Sequence, residues 1–99
     1  MSEQTNYPTR GHKELFEAIL KLKNPEEAMK FFRDLLTIAE LDEFANRFQM
    51  AKKLYKGVSY IKVAKETKSS TTTVARVAHW LFRGMGGYKL ILDRIQNKK

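Results

Sequence analysis

The sequence has no cysteine, only two prolines, and no apolar run near the ~20 residues that a membrane-spanning helix needs. Lack of cysteine excludes disulfides, thiolate nucleophiles and cysteine-ligated zinc, and it suits a reducing compartment. The first residues, MSEQTNYPTRGHK, hold no apolar stretch of the kind a secretory signal requires, so a cytoplasmic setting is expected. Histidine is scarce too. His12 and His79 stand far apart with no His-x-x-x-His spacing, so no metal site is expected. A glycine-rich phosphate loop is also missing, because Gly84-x-Gly86-Gly87 follows a helical pattern and not a strand. Glu40, Asp42 and Glu43 cluster at a helix start, where the helix dipole already accounts for acids. The hydroxyl run Ser69–Thr73 has no base suggested beside it. No enzyme activity and no cofactor are expected. At 99 residues the chain can bury one modest core and cannot hold a large catalytic fold.

What the sequence has in excess is positive charge, and it is unevenly divided. Residues 1–51 carry seven Lys and Arg against nine Asp and Glu, a net −2. Residues 52–99 carry twelve against two, Glu66 and Asp93, a net +10. Such asymmetry points to a polyanionic partner, nucleic acid or an anionic membrane, although a basic surface also serves solubility alone.

Every long segment has helical periodicity, and none alternates as a strand does, so the fold class is all-α. Residues 1–11 read as a polar, flexible arm. A helix over about 12–23 presents Leu15, Phe16, Ile19 and Leu22 on one face. Asn24-Pro25-Glu26-Glu27 is a helix start, with Asn as N-cap, Pro at the first position and acids facing the dipole. Thr37-Ile38-Ala39-Glu40 is a capping box that opens a long third helix, and Gly57 supplies its stop. Two short helices follow, about 60–67 and 71–83, joined by Lys68-Ser69-Ser70. A last helix covers about 88–96. The expected layout is a single helical domain over 12–99. Residues 12–57 would serve dimerisation, 60–83 would form a helix-turn-helix, and 88–96 would close the chain.

Residues 60–83 carry the strongest functional signal. A helix-turn-helix needs two steeply crossed helices packed through small and apolar residues, with the second free to enter a major groove. Val63 and Ala64 suit the first helix, and Val74 and Val77 pin the second against it. Thr71, Thr72, Thr73 and Arg76 then form an outer face, whose hydroxyls and methyls suit base edges and thymine methyls. Lys62, Lys65, Lys68 and Ser70 flank that face and can contact the phosphate backbone. The turn departs from the common pattern in carrying Lys68 where glycine is usual.

The resemblance extends beyond this motif. Phe31-Phe32-Arg33-Asp34-Leu35-Leu36-Thr37, Glu40, Arg47, Leu54-Tyr55-Lys56-Gly57, Ser59, Arg76 and Leu81 resemble the tryptophan repressor over roughly residues 31–83. Glu14-Leu15-Phe16-Glu17-Ala18-Ile19 and the ending Gly87-Tyr88 through Asp93-Arg94 resemble the YerC/YecD-type branch of that superfamily. The resemblance implies a six-helix, intertwined homodimer with one helix-turn-helix head per subunit, reading double-stranded DNA at a roughly palindromic site. It implies a bacterial transcriptional regulator, with no membrane partner. Eleven aromatic and many aliphatic residues also give one small monomer more apolar face than it readily covers. Two other readings stay open. A non-specific RNA or nucleoid protein would use the same charge, and a protein-interaction module would use the helical surface alone.

In the tryptophan repressor two arginines sandwich the indole of the corepressor, and Arg47 and Arg76 match them. Thr37 also matches a pocket residue. Val77, however, stands where the repressor has glycine, and Trp80 replaces a pocket serine. These two side chains would fill the space of a free amino acid. The expectation is that L-tryptophan does not bind: either Trp80, or its neighbours, occupies the cavity and pre-sets the reading head, or Trp80 merely packs against the third helix as core.

Overall fold

The computed structural model describes residues 6–97, and the following statements concern these alone. They form six helices: α1 (Arg10–Ile19), α2 (Pro25–Leu35), α3 (Ile38–Tyr55), α4 (Tyr60–Thr67), α5 (Thr71–Arg83) and α6 (Gly87–Gln96). The described residues divide into two compact units, the first ending at Leu41 and the second beginning at Asp42.

Local capping chemistry sets most of the helix ends. Asn24 accepts from the Glu27 N–H, with Pro25 at the first helical position. Thr37 and Glu40 form the expected box: the Thr37 N–H donates to Glu40 Oε1, and the Glu40 N–H donates to Thr37 Oγ1. Helix α3 ends at Tyr55, and Gly57 just beyond it, with a φ of 88°, lets the Gly57 and Val58 N–H groups reach back to the carbonyls of Leu54 and Lys53.

Helix α1 corrects the expected boundary. It begins at Arg10 and ends at Ile19, where the periodicity predicts about 12–23. Thr9 is the N-cap, and His12 takes the place of the usual Glu or Gln. The Thr9 N–H donates to His12 Nδ1, and the His12 N–H donates to Thr9 Oγ1. That substitution hides the box from a search for acidic partners. At the other end the chain tightens, with Lys21 and Leu22 bonding three residues back to Ala18 and Ile19. Residues 10 and 11 of the expected arm are therefore helical, and residues 1–5 lie outside the described set.

The two units differ in how they pack. Neither α1 nor α2 contains a buried residue, although Phe16, Met29 and Leu35 lie on them and Leu20 follows α1 directly. The second unit has the core. Met50, Ala51 and Leu54 of α3 meet Val63 and Ala64 of α4, Val74, Val77, Ala78 and Leu81 of α5, and Leu92 of α6. Each full burial of a Val or Leu contributes about 1.5–3 kcal/mol. Helix α5 packs on both α4 and α6 and so lies at the centre of this unit. It stops at Gly84, where a Cβ would stand 2.4 Å from the Trp80 carbonyl oxygen, so only glycine fits.

Candidate nucleic-acid interface

Helices α4 and α5 are joined by Lys68, Ser69 and Ser70. The join is built from backbone chemistry. Lys68 takes a left-handed conformation, φ 57° and ψ 44°, in the position that ends a Schellman turn. The Ser69 N–H bonds to the Ala64 carbonyl at 2.9 Å and the Lys68 N–H to the Lys65 carbonyl at 3.3 Å. Ser70 then caps α5, accepting from the Thr73 N–H at 3.1 Å. Its hydroxyl also lies 3.1 Å from Thr73 Oγ1. Ser70, expected at the DNA backbone, thus has its oxygen engaged in starting the helix.

The core fixes which way α5 faces. Val74, Val77, Ala78 and Leu81 are buried, so at 100° per residue the opposite side carries Thr72, Ala75, Arg76, His79 and Arg83. Thr71 and Thr72 are exposed at the helix start, whereas Thr73 is half-buried. Of the four residues expected at base edges, Thr71, Thr72 and Arg76 are open to solvent, and Thr73 turns toward a cleft. Ala75, one turn beyond Thr72 and exposed, joins the open face. Its methyl carries no polar signal in the sequence, yet its spacing from Thr72 marks the same face.

Lys62, Lys65 and Lys68 are all exposed. Lys62 is shared, with its ammonium 4.0 Å from Glu66. Glu66 in turn pairs with Lys53 at 3.0 Å. The hydrogen bond from Lys53, helped by the charges of Lys53 and Lys62, holds the Glu66 carboxyl below its ordinary value of 4.5.

A cleft of about 240 Å³ lies beside α5, and Arg47, Arg76, Thr73, Val77 and Trp80 are among its lining residues. The two arginines that match the corepressor clamp therefore do converge. Arg47, however, is already engaged. It bonds Glu43 at 2.7 Å, and its guanidinium carbon lies 5.3 Å from the centre of the Trp80 ring and 5.9 Å from that of Phe44. Trp80 is 40% exposed and sits on Arg47, whereas Val77 is fully buried in the core. Thr37 belongs to the first unit, where its hydroxyl is used in the capping box with Glu40.

Asn46 was not anticipated. Its amide donates to the Thr67 carbonyl at 3.2 Å and to Ser69 Oγ at 3.1 Å, tying α3 to the turn. These partners are 21 and 23 residues away, beyond any local pattern. A second long-range tie joins the Tyr55 hydroxyl to Asp93, which also pairs with Lys89 at 2.9 Å. Among the described residues no group of His, Cys, Asp and Glu could hold a metal ion, and no helix is long and apolar enough to cross a membrane.

The architecture is that of an all-α protein with Trp repressor-like topology. A TrpR-like protein from Eubacterium eligens ATCC 27750 superposes with a TM-score of 0.85 at 37% identity, covering 93% of this chain and 95% of that one. A Trp repressor candidate from Staphylococcus aureus gives 0.83 at 40% identity, covering 89% and 88%. Residues 10–96 match the family described as Trp repressor protein, and the chain belongs to that family. It is also 42% identical over 83 residues to the uncharacterized protein YerC of Bacillus subtilis (strain 168), covering 84% of this chain and 80% of YerC.

Proposed function

We propose that this protein is a homodimeric, sequence-specific regulator of transcription that binds double-stranded DNA through α4 and α5, in the bacterial cytoplasm and without catalysis. The observation that carries this is the setting of α5: its inner face is locked into the core, while Thr71, Thr72, Ala75 and Arg76 stay open at its N-terminal half. A helix held so can lay its first turns against base edges as the recognition helix of a helix-turn-helix. Membership of the Trp repressor family supports the same reading.

Two further parts belong to it. Helices α1 and α2 expose Phe16, Met29 and Leu35 and bury nothing, and Leu20 at the end of α1 is exposed too. A second copy of the chain would cover these faces and set two heads about a two-fold axis, matched to a roughly palindromic site. The other part concerns the corepressor. The indole of Trp80 already occupies the face of Arg47, so the head is set without free L-tryptophan.

Selection from random duplexes, run with and without L-tryptophan and with sizing of the complex, tests all three parts. The expected result is an enriched inverted repeat, two chains per duplex, and no effect of the amino acid. Thr72→Ala should weaken the selected site about tenfold, since one base contact is worth roughly 1–3 kcal/mol, and leave random DNA unchanged. Equal loss on both would favour a non-specific coat. No binding to either would leave a protein-interaction module.

A further inference from the structure

We infer that Asn46 is a positioning residue for the recognition helix, holding the start of α5 at a fixed pitch against α3. This rests on the DNA-reading role of α5. Helix α4 ends with carbonyl groups that lack partners inside the helix. The Thr67 carbonyl accepts from the Asn46 amide at 3.2 Å and from the Ser69 hydroxyl at 3.2 Å, and that hydroxyl accepts from the same amide at 3.1 Å. Three residues thus close a triangle of hydrogen bonds. Ser70, which caps α5, follows directly, so the triangle stands one residue from the reading helix.

The apolar core cannot do this by itself. Val74, Val77, Ala78 and Leu81 hold α5 down, but apolar contact is non-directional and tolerates a small roll or tilt. Hydrogen bonds at one end remove that freedom. The next residue of α3, Arg47, reaches Trp80 near the other end of α5. Nine residues of helix separate Thr71 from Trp80, about 14 Å at 1.5 Å per residue. Two adjacent residues of α3 therefore act on α5 from both sides: Arg47 touches it at Trp80, and Asn46 holds the turn that leads into its first residues.

The test uses Asn46→Asp, which keeps the shape but removes the amide donors and sets a carboxylate against the Thr67 carbonyl. A second variant, Ser69→Ala, removes the two sides of the triangle that run through the Ser69 hydroxyl and leaves the Asn46–Thr67 bond. Amide hydrogen exchange and DNA affinity are measured on both full-length proteins. Exchange at Thr73 and Val74 should accelerate at least tenfold, while Leu92 in α6 is unchanged. Affinity for the selected site should fall about tenfold, and affinity for random duplex by less than threefold. Unchanged exchange in both variants overturns the strut, whatever the DNA results. Faster exchange together with no site preference in the unaltered protein keeps the strut and overturns the DNA reading. Equal loss on selected and random DNA, with α6 also loosened, shows general destabilisation and overturns the positioning role.

Discussion

Lys68 occupies a backbone conformation that costs an L side chain roughly 1–2 kcal/mol. Glycine would avoid that cost but add about 0.5–1 kcal/mol of unfolded-chain entropy. The net expectation is that Lys68→Gly raises stability by about 0.5–1 kcal/mol, read as a higher urea midpoint at unchanged slope. The same change removes an exposed cation from the turn that leads into α5. Affinity for selected and random DNA should fall together, since a phosphate contact carries no sequence information. A variant that is both more stable and weaker on DNA would show strain retained for charge. The sequence marked this position as a departure from glycine but could not say whether the turn had changed. The φ of 57° shows that the turn is the ordinary one with an unusual occupant.

Among the elements, α6 depends on an ionic latch. Asp93 accepts from the Tyr55 hydroxyl of α3 and from Lys89 one turn back, and those two bonds hold its carboxyl below 3.8. Tyr55 is raised above 10.0, first by its hydrogen bond to Asp93, and Lys89 is raised above 10.5 by the same carboxylate. The lowered carboxyl stabilises the fold above its unfolded value and loses that effect as pH falls through the folded one. The raised groups act the other way, stabilising below pH 10 and losing effect as pH climbs beyond. Thermal unfolding should therefore show midpoints falling below about pH 4 and again above about pH 10. Asp93→Asn should flatten both limbs. Glu66→Gln should flatten the acid limb as well, because the hydrogen bond from Lys53 and the charges of Lys53 and Lys62 hold the Glu66 carboxyl low. Helices α2 to α4 were legible because Asn24, Thr37 and Ser59 cap them through neighbours three residues on, whereas the Ser70 cap of α5 reads in the sequence as a DNA contact. The latch and the Asn46 strut were not, because their partners are brought together only by the fold.

At the scale of the whole molecule, the split of charge becomes a statement about binding. Both acids of the basic half are engaged with lysines, Glu66 with Lys53 and Lys62, Asp93 with Lys89. Little is then left there to repel a polyanion. The division was legible from counting alone. The seating of one chain on another in the proposed dimer was not, since exposed apolar side chains on α1 and α2 carry no register. Salt dependence reads both matters together. If Lys62, Lys65 and Lys68 of two heads each meet a phosphate, six contacts give a slope of log affinity against log salt of about −5. Lys65 is the informative one to remove, because it is exposed and makes no ion pair among the described residues. Lys65→Ala should reduce the slope by about two, one phosphate for each head. A reduction of about one would mean that a single head engages the duplex, and the two-headed reading would then fail even if the site were selected with high specificity. No change would place Lys65 away from the DNA and leave the charge of this half to a different surface.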